Sequence, residues 1–147
     1  MNPNFQDFIS KFRLDDFAIY ESKYWKWSLR PVHSTIGAGI LSLRRYDERM
    51  SNITSDESKD LVVIIKVIED TLKKVFNYDK INYMMLMMVD THIHFHVIPR
   101  YSREISFEDL TWKDGGWPAL PALGAGDEYE YSVLNSIKDT LIDNLVV

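Results

Sequence analysis

The stretch DTHIHFHVIPR, residues Asp90–Arg100, places three histidines at alternate positions. Only four histidines occur in the whole chain, so this clustering is not a chance pattern. Side chains alternate between the two faces of a β-strand, so His92, His94 and His96 are predicted to share one face. The apolar residues between them are predicted to pack under a helix. The stretch therefore predicts a strand with one titratable face and one buried face.

Three interpretations of the shared histidine face are open. The simplest is a polar face on a half-exposed strand, which does not account for the clustering. The second is a metal site, because alternate histidines present several nitrogens to zinc or another divalent ion, with His33 and Asp90 as further ligands. The third, which we prefer, is nucleophilic catalysis. Neighbouring imidazoles raise the cost of protonating one another, and a neutral imidazole carries the lone pair that a nucleophile needs.

Hydrophobic spacing predicts the elements that precede this strand. NFQDFISKF is predicted to be a short amphipathic helix, and FAIYES and WKWSLR a β-hairpin. STIGAGILSL follows as a strand opened by two glycines. The clearest element is TSDESKDLVVIIKVIEDTLKKVF, a long helix that starts with Thr54 and carries Glu57 three residues later, the capping-box pattern. Its apolar residues fall on one helical face, so it is predicted to cover the sheet.

The segment after the long helix predicts more strands, a loop and a final helix. KINYMMLMMVDTHIHFHVIPR predicts two strands joined by a very tight turn at Asp90 and Thr91. The apolar run of the first strand predicts burial on both faces and a central place in the sheet. SFEDLTWKDGGWPALPALGAG is predicted to be a long loop, and DEYEYSVLNSIKDTLIDNL a terminal helix. Strands before and after one helix favour an α+β class with an antiparallel sheet, in a single domain over residues 1–147.

Composition excludes several classes of function. The chain is 46% hydrophobic and 27% charged, and its formal net charge of −5 argues against bulk binding of nucleic acid. It has no cysteine, so thiolate nucleophiles and disulfide frameworks are excluded. The opening segment MNPNFQDFISKF is typical of neither a signal peptide nor an anchor, and no stretch is apolar enough for a membrane span. A cytoplasmic protein is expected.

The motif HIHFHVI resembles the signature of the histidine triad family, in which three histidines alternate with hydrophobic residues and two more hydrophobic residues follow. The next two residues, Pro99 and Arg100, are also common there, and STIGAGILSLRRYDERMSNIT resembles the family's glycine–strand–helix segment. The resemblance covers about residues 17–101. It implies a five-stranded antiparallel sheet packed with one long helix, plus terminal helices, with residues 102–147 forming a C-terminal loop and helix.

The resemblance also implies an activity. Members of this family hydrolyse nucleotide conjugates or transfer nucleotidyl groups, cleaving at the α-phosphate through a nucleotidyl-histidine intermediate. By position, His94 is the implied nucleophile, His96 contacts phosphate oxygens and His92 supports the hydrogen-bond network. No cofactor or metal is required, a homodimer is expected, and the expected substrates include dinucleoside polyphosphates and phosphoramidates. The alternative is a nucleotide-binding or metal-binding module whose catalysis is lost or altered.

The chain departs from the family's pattern at two places. Relatives usually carry a fourth histidine after the glycine that opens the strand before the long helix, where this chain has Ala38; His33 is the candidate to replace it. Relatives usually have a longer phosphate-binding loop before the triad, where only Asp90 and Thr91 remain. These two residues and His33 are candidate substrate ligands. Arg100 is the predicted phosphate ligand, because a guanidinium fork matches phosphate oxygens.

Four tryptophans also allow two interpretations. Trp25 and Trp27 are predicted to pack in the core. Trp112 and Trp117 lie in the predicted loop, where they either pack the loop or an interface, or close over a base as a lid. The sequence leaves this choice open.

Overall fold

The computed structural model describes residues 1–123 and 127–147, and its architecture is α+β. A five-stranded antiparallel sheet has the strand order β1-β2-β4-β6-β5. This confirms the predicted fold class. The elements are α1 (Pro3–Lys11), β1 (Ala18–Glu21), β2 (Trp25–Leu29), β3 (Val32–His33), β4 (Gly39–Leu43), α2 (Ser55–Phe76), β5 (Lys80–Met84), β6 (His94–Arg100), β7 (Ile105–Phe107), β8 (Leu110–Trp112), β9 (Asp127–Glu128) and α3 (Tyr131–Asp143).

The long helix α2 forms as its caps predict. The Thr54 side chain accepts a hydrogen bond from the Glu57 backbone, and the Glu57 side chain returns one to the Thr54 backbone. At the other end, Asn77 adopts the left-handed conformation that stops a helix, with φ of 49°. The apolar face of α2 packs against one face of the sheet in the larger hydrophobic cluster, which includes the fully buried Trp25 and Trp27.

Two glycines at the start of β4 allow a backbone conformation and a close strand contact that other residues would not allow. Gly37 has φ of +86°, a conformation that L side chains rarely adopt. A Cβ atom at Gly39 would lie 2.8 Å from the carbonyl oxygen of Ser28 in the neighbouring strand. The backbones of β2 and β4 therefore approach each other closely at Gly39. Ala38, between the glycines, is fully buried.

The predicted tight turn before the histidine strand is wrong. β5 ends at Met84, where Met84 pairs with His96, and residues 85–93 form a loop before β6 begins at His94. β5 is also an edge strand, not a central one. The apolar run misled because Leu86, Met88 and Val89 are exposed in the loop (52%, 82% and 85%) instead of buried in a sheet.

The C-terminal segment is more ordered than the sequence predicts. Strands β7 and β8 form an antiparallel hairpin within the predicted loop, while residues 124–126 of that loop lie outside the described residues. The predicted terminal helix is confirmed as α3, which buries Leu134, Ile137 and Leu141. Within the described ranges, no helix is both long and apolar enough to cross a membrane.

Candidate active site

Strand β6 and the loop before it bring the three clustered histidines to one face of the sheet. His92 lies in the loop just ahead of the strand, and His94 and His96 lie within it. Their exposed fractions are 1%, 2% and 8%. Ile93 and Val97 point the other way into the core, as strand alternation predicts.

Helix α1 covers the histidine face with aromatic rings. The Phe8 ring centroid lies 5.1 Å from that of His92 and 4.8 Å from that of His94. Phe12 lies 6.0 Å from both His94 and His96. The sequence predicts α1 as a helix but does not indicate where it docks. Its phenylalanines shield the histidines from water, so the charged imidazolium form is disfavoured.

The hydrogen bonding of His94 determines which of its nitrogens carries the proton. Its Nδ1 lies 2.6 Å from the backbone carbonyl oxygen of His92. A carbonyl oxygen can only accept, so Nδ1 donates and holds the proton. In the neutral ring, Nε2 then carries the free lone pair. This is the tautomer that an imidazole nucleophile requires.

His92 is fixed by contacts on both edges and on one face of its ring. Its Nε2 donates to the Leu43 carbonyl oxygen at 2.8 Å, and its Nδ1 lies 3.4 Å from the Asp47 backbone nitrogen, from which it accepts. Tyr46 stacks on the ring with centroids 5.4 Å apart and planes 14° apart. A rigid His92 holds its own carbonyl in place, and that carbonyl orients His94.

The three histidines are neutral near pH 7. Burial lowers the pKa of His92 and of His94 below the ordinary value. Burial, together with the nearby positive charge of Arg30, lowers the pKa of His96 to about 4. His94 and His96 also contact each other, with ring centroids 5.2 Å apart. The site therefore presents two neighbouring uncharged imidazoles.

A pocket of about 260 Å³ opens onto His94 and His96. Its other walls are Lys11 and Phe12 at the end of α1, the loop residues 86–90, and Arg30. Sequence reasoning missed Arg30, which follows β2 and lies far from the histidines along the chain. The one available signal is a guanidinium placed directly after a buried apolar strand and before Pro31.

The two residues of the predicted turn lie beside the histidines but are already engaged. Asp90 accepts a hydrogen bond from Lys11 at 2.8 Å, which ties the loop to α1. Thr91 donates to the Glu48 carboxylate. Asp90 lines both the pocket of His94 and His96 and a second pocket of about 390 Å³ beside His92, which Thr91, Asp7 and Glu48 also line. The carboxylates of this second pocket disfavour a phosphate there.

Arg100 does not lie open to a phosphate, which corrects the sequence prediction. Its Nε donates to Asp114 at 2.6 Å, and both side chains of this pair are at least 95% buried. Its Nη1 donates to Asn82 and its Nη2 to Ala119. The prediction relied on the closeness of Arg100 to the histidines in the sequence, but its guanidinium faces the C-terminal segment.

His33 and Trp117 also lie apart from the histidine pocket. His33 is 2% exposed on β3, and burial lowers its pKa to about 4. Its ring contact is with Tyr129, at a centroid distance of 6.3 Å. Trp117 lines a groove along the β5 edge with Arg100, so its indole does not cover His94. Trp112 is packed in the core.

No group of three or more histidine, aspartate or glutamate side chains is arranged to hold a metal ion in the parts of the chain that the structure describes. His92 and His94 each use one ring nitrogen to hydrogen-bond a backbone carbonyl oxygen, of Leu43 and of His92 respectively.

Comparisons with known proteins agree with this geometry. The model of the HIT domain family matches residues 34–103. Bis(5'-adenosyl)-triphosphatase of Saccharomyces cerevisiae is 26% identical over 133 residues, which cover 83% of this chain and 64% of that protein. The asymmetrical bis(5'-nucleosyl)-tetraphosphatase of Schizosaccharomyces pombe is 26% identical over 116 residues, 74% of this chain and 63% of that protein. The chain thus spans less than two thirds of either relative.

Solved structures show the same fold. A histidine triad (HIT) protein of Sinorhizobium meliloti superposes with a TM-score of 0.69 at 22% identity, over 90% of this chain and 93% of that one. The region that matches the family model includes β4, α2, β5 and β6, and so the strand that carries His94 and His96. The pocket residues Lys11, Phe12 and Arg30 lie outside that region. The chain therefore has the fold of the histidine triad (HIT) proteins, and its residues 34–103 match the HIT domain family.

Proposed function

We propose that this protein is a nucleotide-conjugate hydrolase or nucleotidyl transferase, and that His94 is its nucleophile. The observation that carries the proposal is the 2.6 Å hydrogen bond from His94 Nδ1 to the His92 carbonyl oxygen. It keeps the lone pair on Nε2, and burial keeps the ring neutral. The names of the two yeast relatives support dinucleoside polyphosphates as the substrate class.

The proposed reaction has two steps. Nε2 of His94 attacks the α-phosphorus, the bond from that phosphorus to the bridging atom of the leaving group breaks, and the leaving group departs with the electron pair. The nucleotidyl-histidine carries positive charge on its ring, which the His92 carbonyl stabilises through the Nδ1 proton. Water then attacks the same phosphorus, the N–P bond breaks and a nucleoside monophosphate is released. A different acceptor in place of water makes the protein a transferase.

His96 is proposed to contact the phosphoryl oxygens during both steps. It adjoins His94, and its Nδ1 is buried without a hydrogen-bond partner among the described residues. A polar atom left in that state is expected to bind a ligand group. His92 is proposed to act through its carbonyl and to position His94. Asp90 is proposed to hold the pocket's edge through Lys11.

Release of nucleoside monophosphate tests the proposal. Wild-type protein is incubated with adenosine 5′-phosphoramidate and with a dinucleoside polyphosphate, each with and without a chelator. His94→Asn is the sharper variant, because its amide can keep a hydrogen bond to the His92 carbonyl while it removes the nucleophile; His94→Ala removes both. We expect chelator-resistant release from wild type, and a loss of about 10³-fold or more in both variants. Equal release by His94→Asn and wild type would refute the assignment.

A nucleotide-binding module without turnover is the second candidate. Two observations favour it. His94 is only 2% exposed under α1, and Ala38 stands where relatives usually carry a fourth histidine. Isothermal titration with adenosine monophosphate separates the two. Binding without release from either substrate supports the module, and release that depends on His94 excludes it.

Assembly and location stay predictions. We propose a homodimer, because the β5 edge and its groove, lined by Tyr83, Pro118 and Leu120, leave an apolar face at the end of the sheet. Sedimentation at several protein concentrations tests it, and a monomer at all of them would contradict it. Cell fractionation tests the expected cytoplasmic location.

A further inference from the structure

Arg30 is half-buried, and among the described residues no carboxylate forms an ion pair with its guanidinium. Its Nε and Nη1 atoms are shielded from water and have no hydrogen-bond partner among the described residues. Burial lowers the pKa of its guanidinium, a sign of the cost of holding the charge there. Buried polar groups in native proteins are almost always paired, so an orphaned guanidinium calls for a ligand outside the chain.

Arg100, which is buried, differs from Arg30 in having its charge paired. Arg100 is neutralised by Asp114 and satisfied by Asn82 and Ala119. Lys11, on another wall of the Arg30 pocket, is neutralised by Asp90. Arg30 is thus the unpaired cation in the described lining of this pocket. An anion is the chemistry that completes it.

The position of Arg30 indicates which part of a substrate it meets. The sheet register aligns Ser28 of β2, through Ile40 of β4, with His96, so Arg30, two residues after Ser28, lies beyond His96 on the side away from His94. The pocket therefore runs from His94 past His96 to Arg30. An α-phosphoryl group attacked by His94 and held by His96 leaves Arg30 beside the next group along the substrate.

We propose that Arg30 binds the phosphoryl group next to the one that His94 attacks, and so makes the site selective for polyphosphate chains over substrates with an uncharged leaving group. The guanidinium suits this role because its planar fork matches two phosphoryl oxygens. The inference rests on the proposed function, and it narrows the substrate class of that same pocket.

The thermal stability of an Arg30→Met variant distinguishes a structural role of Arg30 from a ligand-binding role. If the guanidinium is an unpaired charge in the free protein, Arg30→Met replaces it with an apolar chain of similar length. The midpoint of thermal unfolding without ligand should then stay unchanged or rise. A fall of many degrees would indicate that Arg30 serves the fold. Arg30→Lys keeps a charge without the fork, so it should recover only part of the binding.

The experiment compares two ligands by isothermal titration. Adenosine monophosphate carries one phosphoryl group, and α,β-methylene-ADP carries two joined by a bond that cannot be cleaved at the bridge. Wild type, Arg30→Met and Arg30→Lys are titrated with each, with Arg49→Met as the matched control, because Arg49 is exposed and does not line the pocket. All four proteins are checked for equal secondary structure beforehand.

We expect wild type and Arg49→Met to bind the two-phosphate ligand at least about tenfold tighter than the monophosphate, the magnitude of one charge-assisted hydrogen bond. Arg30→Met should bind both ligands alike, with its monophosphate affinity within about threefold of wild type. A preference that survives in Arg30→Met, or an equal loss for both ligands, would overturn the inference.

This readout separates the inference from the proposed function because it needs no turnover. An Arg30-dependent preference in a protein that releases no nucleoside monophosphate would support the inference and refute the hydrolase. Release that depends on His94, without any Arg30-dependent preference, would do the reverse. Failure of wild type to bind either nucleotide would overturn both.

Discussion

At the scale of single residues, reactivity follows from where a proton is held. His94 differs from an ordinary surface histidine in two ways: its Nδ1 proton is held by a backbone carbonyl, and its ring is shielded by Phe8 and Phe12. Both effects act on one nitrogen, Nε2, which is left with a lone pair over a wide pH range. Neither effect requires another charged group.

The pH dependence of the rate is therefore predictable in sign. The attacking form of His94 is the neutral one, and burial lowers its pKa below 6.5. The value of kcat/KM for a phosphoramidate should be flat near pH 7 and fall only as the pH drops through that lowered pKa. An acidic limb centred at or above pH 6.5 would contradict the account. The measurement is a kcat/KM profile with buffers of constant ionic strength.

Stability should also decrease in mild acid, because two histidines are buried in the neutral form. The pKa of His33 is about 4 in the folded protein and near 6.5 when unfolded, and His96 behaves alike. Between these values the unfolded state binds more protons, so the free energy of unfolding falls as pH drops from about 6.5 towards 4. His33 alone accounts for up to about 3 kcal/mol of this.

Urea unfolding at several pH values checks the acid effect. His33→Asn removes one titrating ring, so its free energy of unfolding should vary less steeply with pH than that of wild type. Identical slopes for the two proteins would show that His33 is not buried in the neutral form.

Two arginines show what sequence reasoning at this scale can and cannot predict. The alternation of histidines predicted their shared face, because strand geometry fixes it. The choice of Arg100 as phosphate ligand failed, and Arg30 was missed, because ion pairing is a tertiary property. Whether a guanidinium is free depends on a carboxylate such as Asp114, which arrives from a separate segment of the chain.

At the scale of elements, local signals predicted some boundaries well and others badly. α2 was predictable because its start, its face and its dipole charges all agree along the sequence. The end of β5 was not, since an apolar run does not distinguish a buried strand from an exposed apolar loop. The β7–β8 hairpin could not be predicted either, because its turn lacks the usual glycine signal. Glu108 and Asp109 form this turn with positive φ values.

The capping box of α2 gives a prediction for an element. Thr54→Ala removes the side chain that accepts from the Glu57 backbone, and should lower the free energy of unfolding by about 1 kcal/mol. Ser58→Ala, at an exposed position in the next turn, is the matched control and should be neutral or slightly stabilising. Urea denaturation measures both. A Thr54→Ala loss no greater than that of the control would show that the cap does not stabilise the protein.

At the scale of the whole molecule, a buried ion pair joins the five-stranded sheet to the C-terminal segment. Arg100 on β6 and Asp114 beyond β8 are 95% and 98% buried, and the same arginine binds Ala119. α3 adds an apolar contact through Leu134 and Ile137, which share the core with α2. We propose that residues 1–147 fold as one unit, with a single cooperative unfolding transition.

A double-mutant cycle tests this coupling. Asp114→Leu leaves Arg100 buried and unpaired, and should cost about 3–5 kcal/mol of unfolding free energy. Adding Arg100→Met removes the orphaned charge and should restore much of that loss. Lys66→Ala, which breaks an exposed pair with Asp70, is the control and should cost less than about 1 kcal/mol. Additive losses at Arg100 and Asp114, or two unfolding transitions, would contradict the proposed single unit.

The most direct test of the central claim is to trap the covalent intermediate. Wild type and His94→Asn are mixed with an excess of an adenylyl-containing substrate, quenched during turnover under conditions that preserve N–P bonds, and analysed by intact and peptide mass spectrometry. The account predicts one adenylyl group on His94 in wild type, and none on the variant. Steady turnover with no adduct at any quench time, or an adduct that persists in His94→Asn, would contradict it.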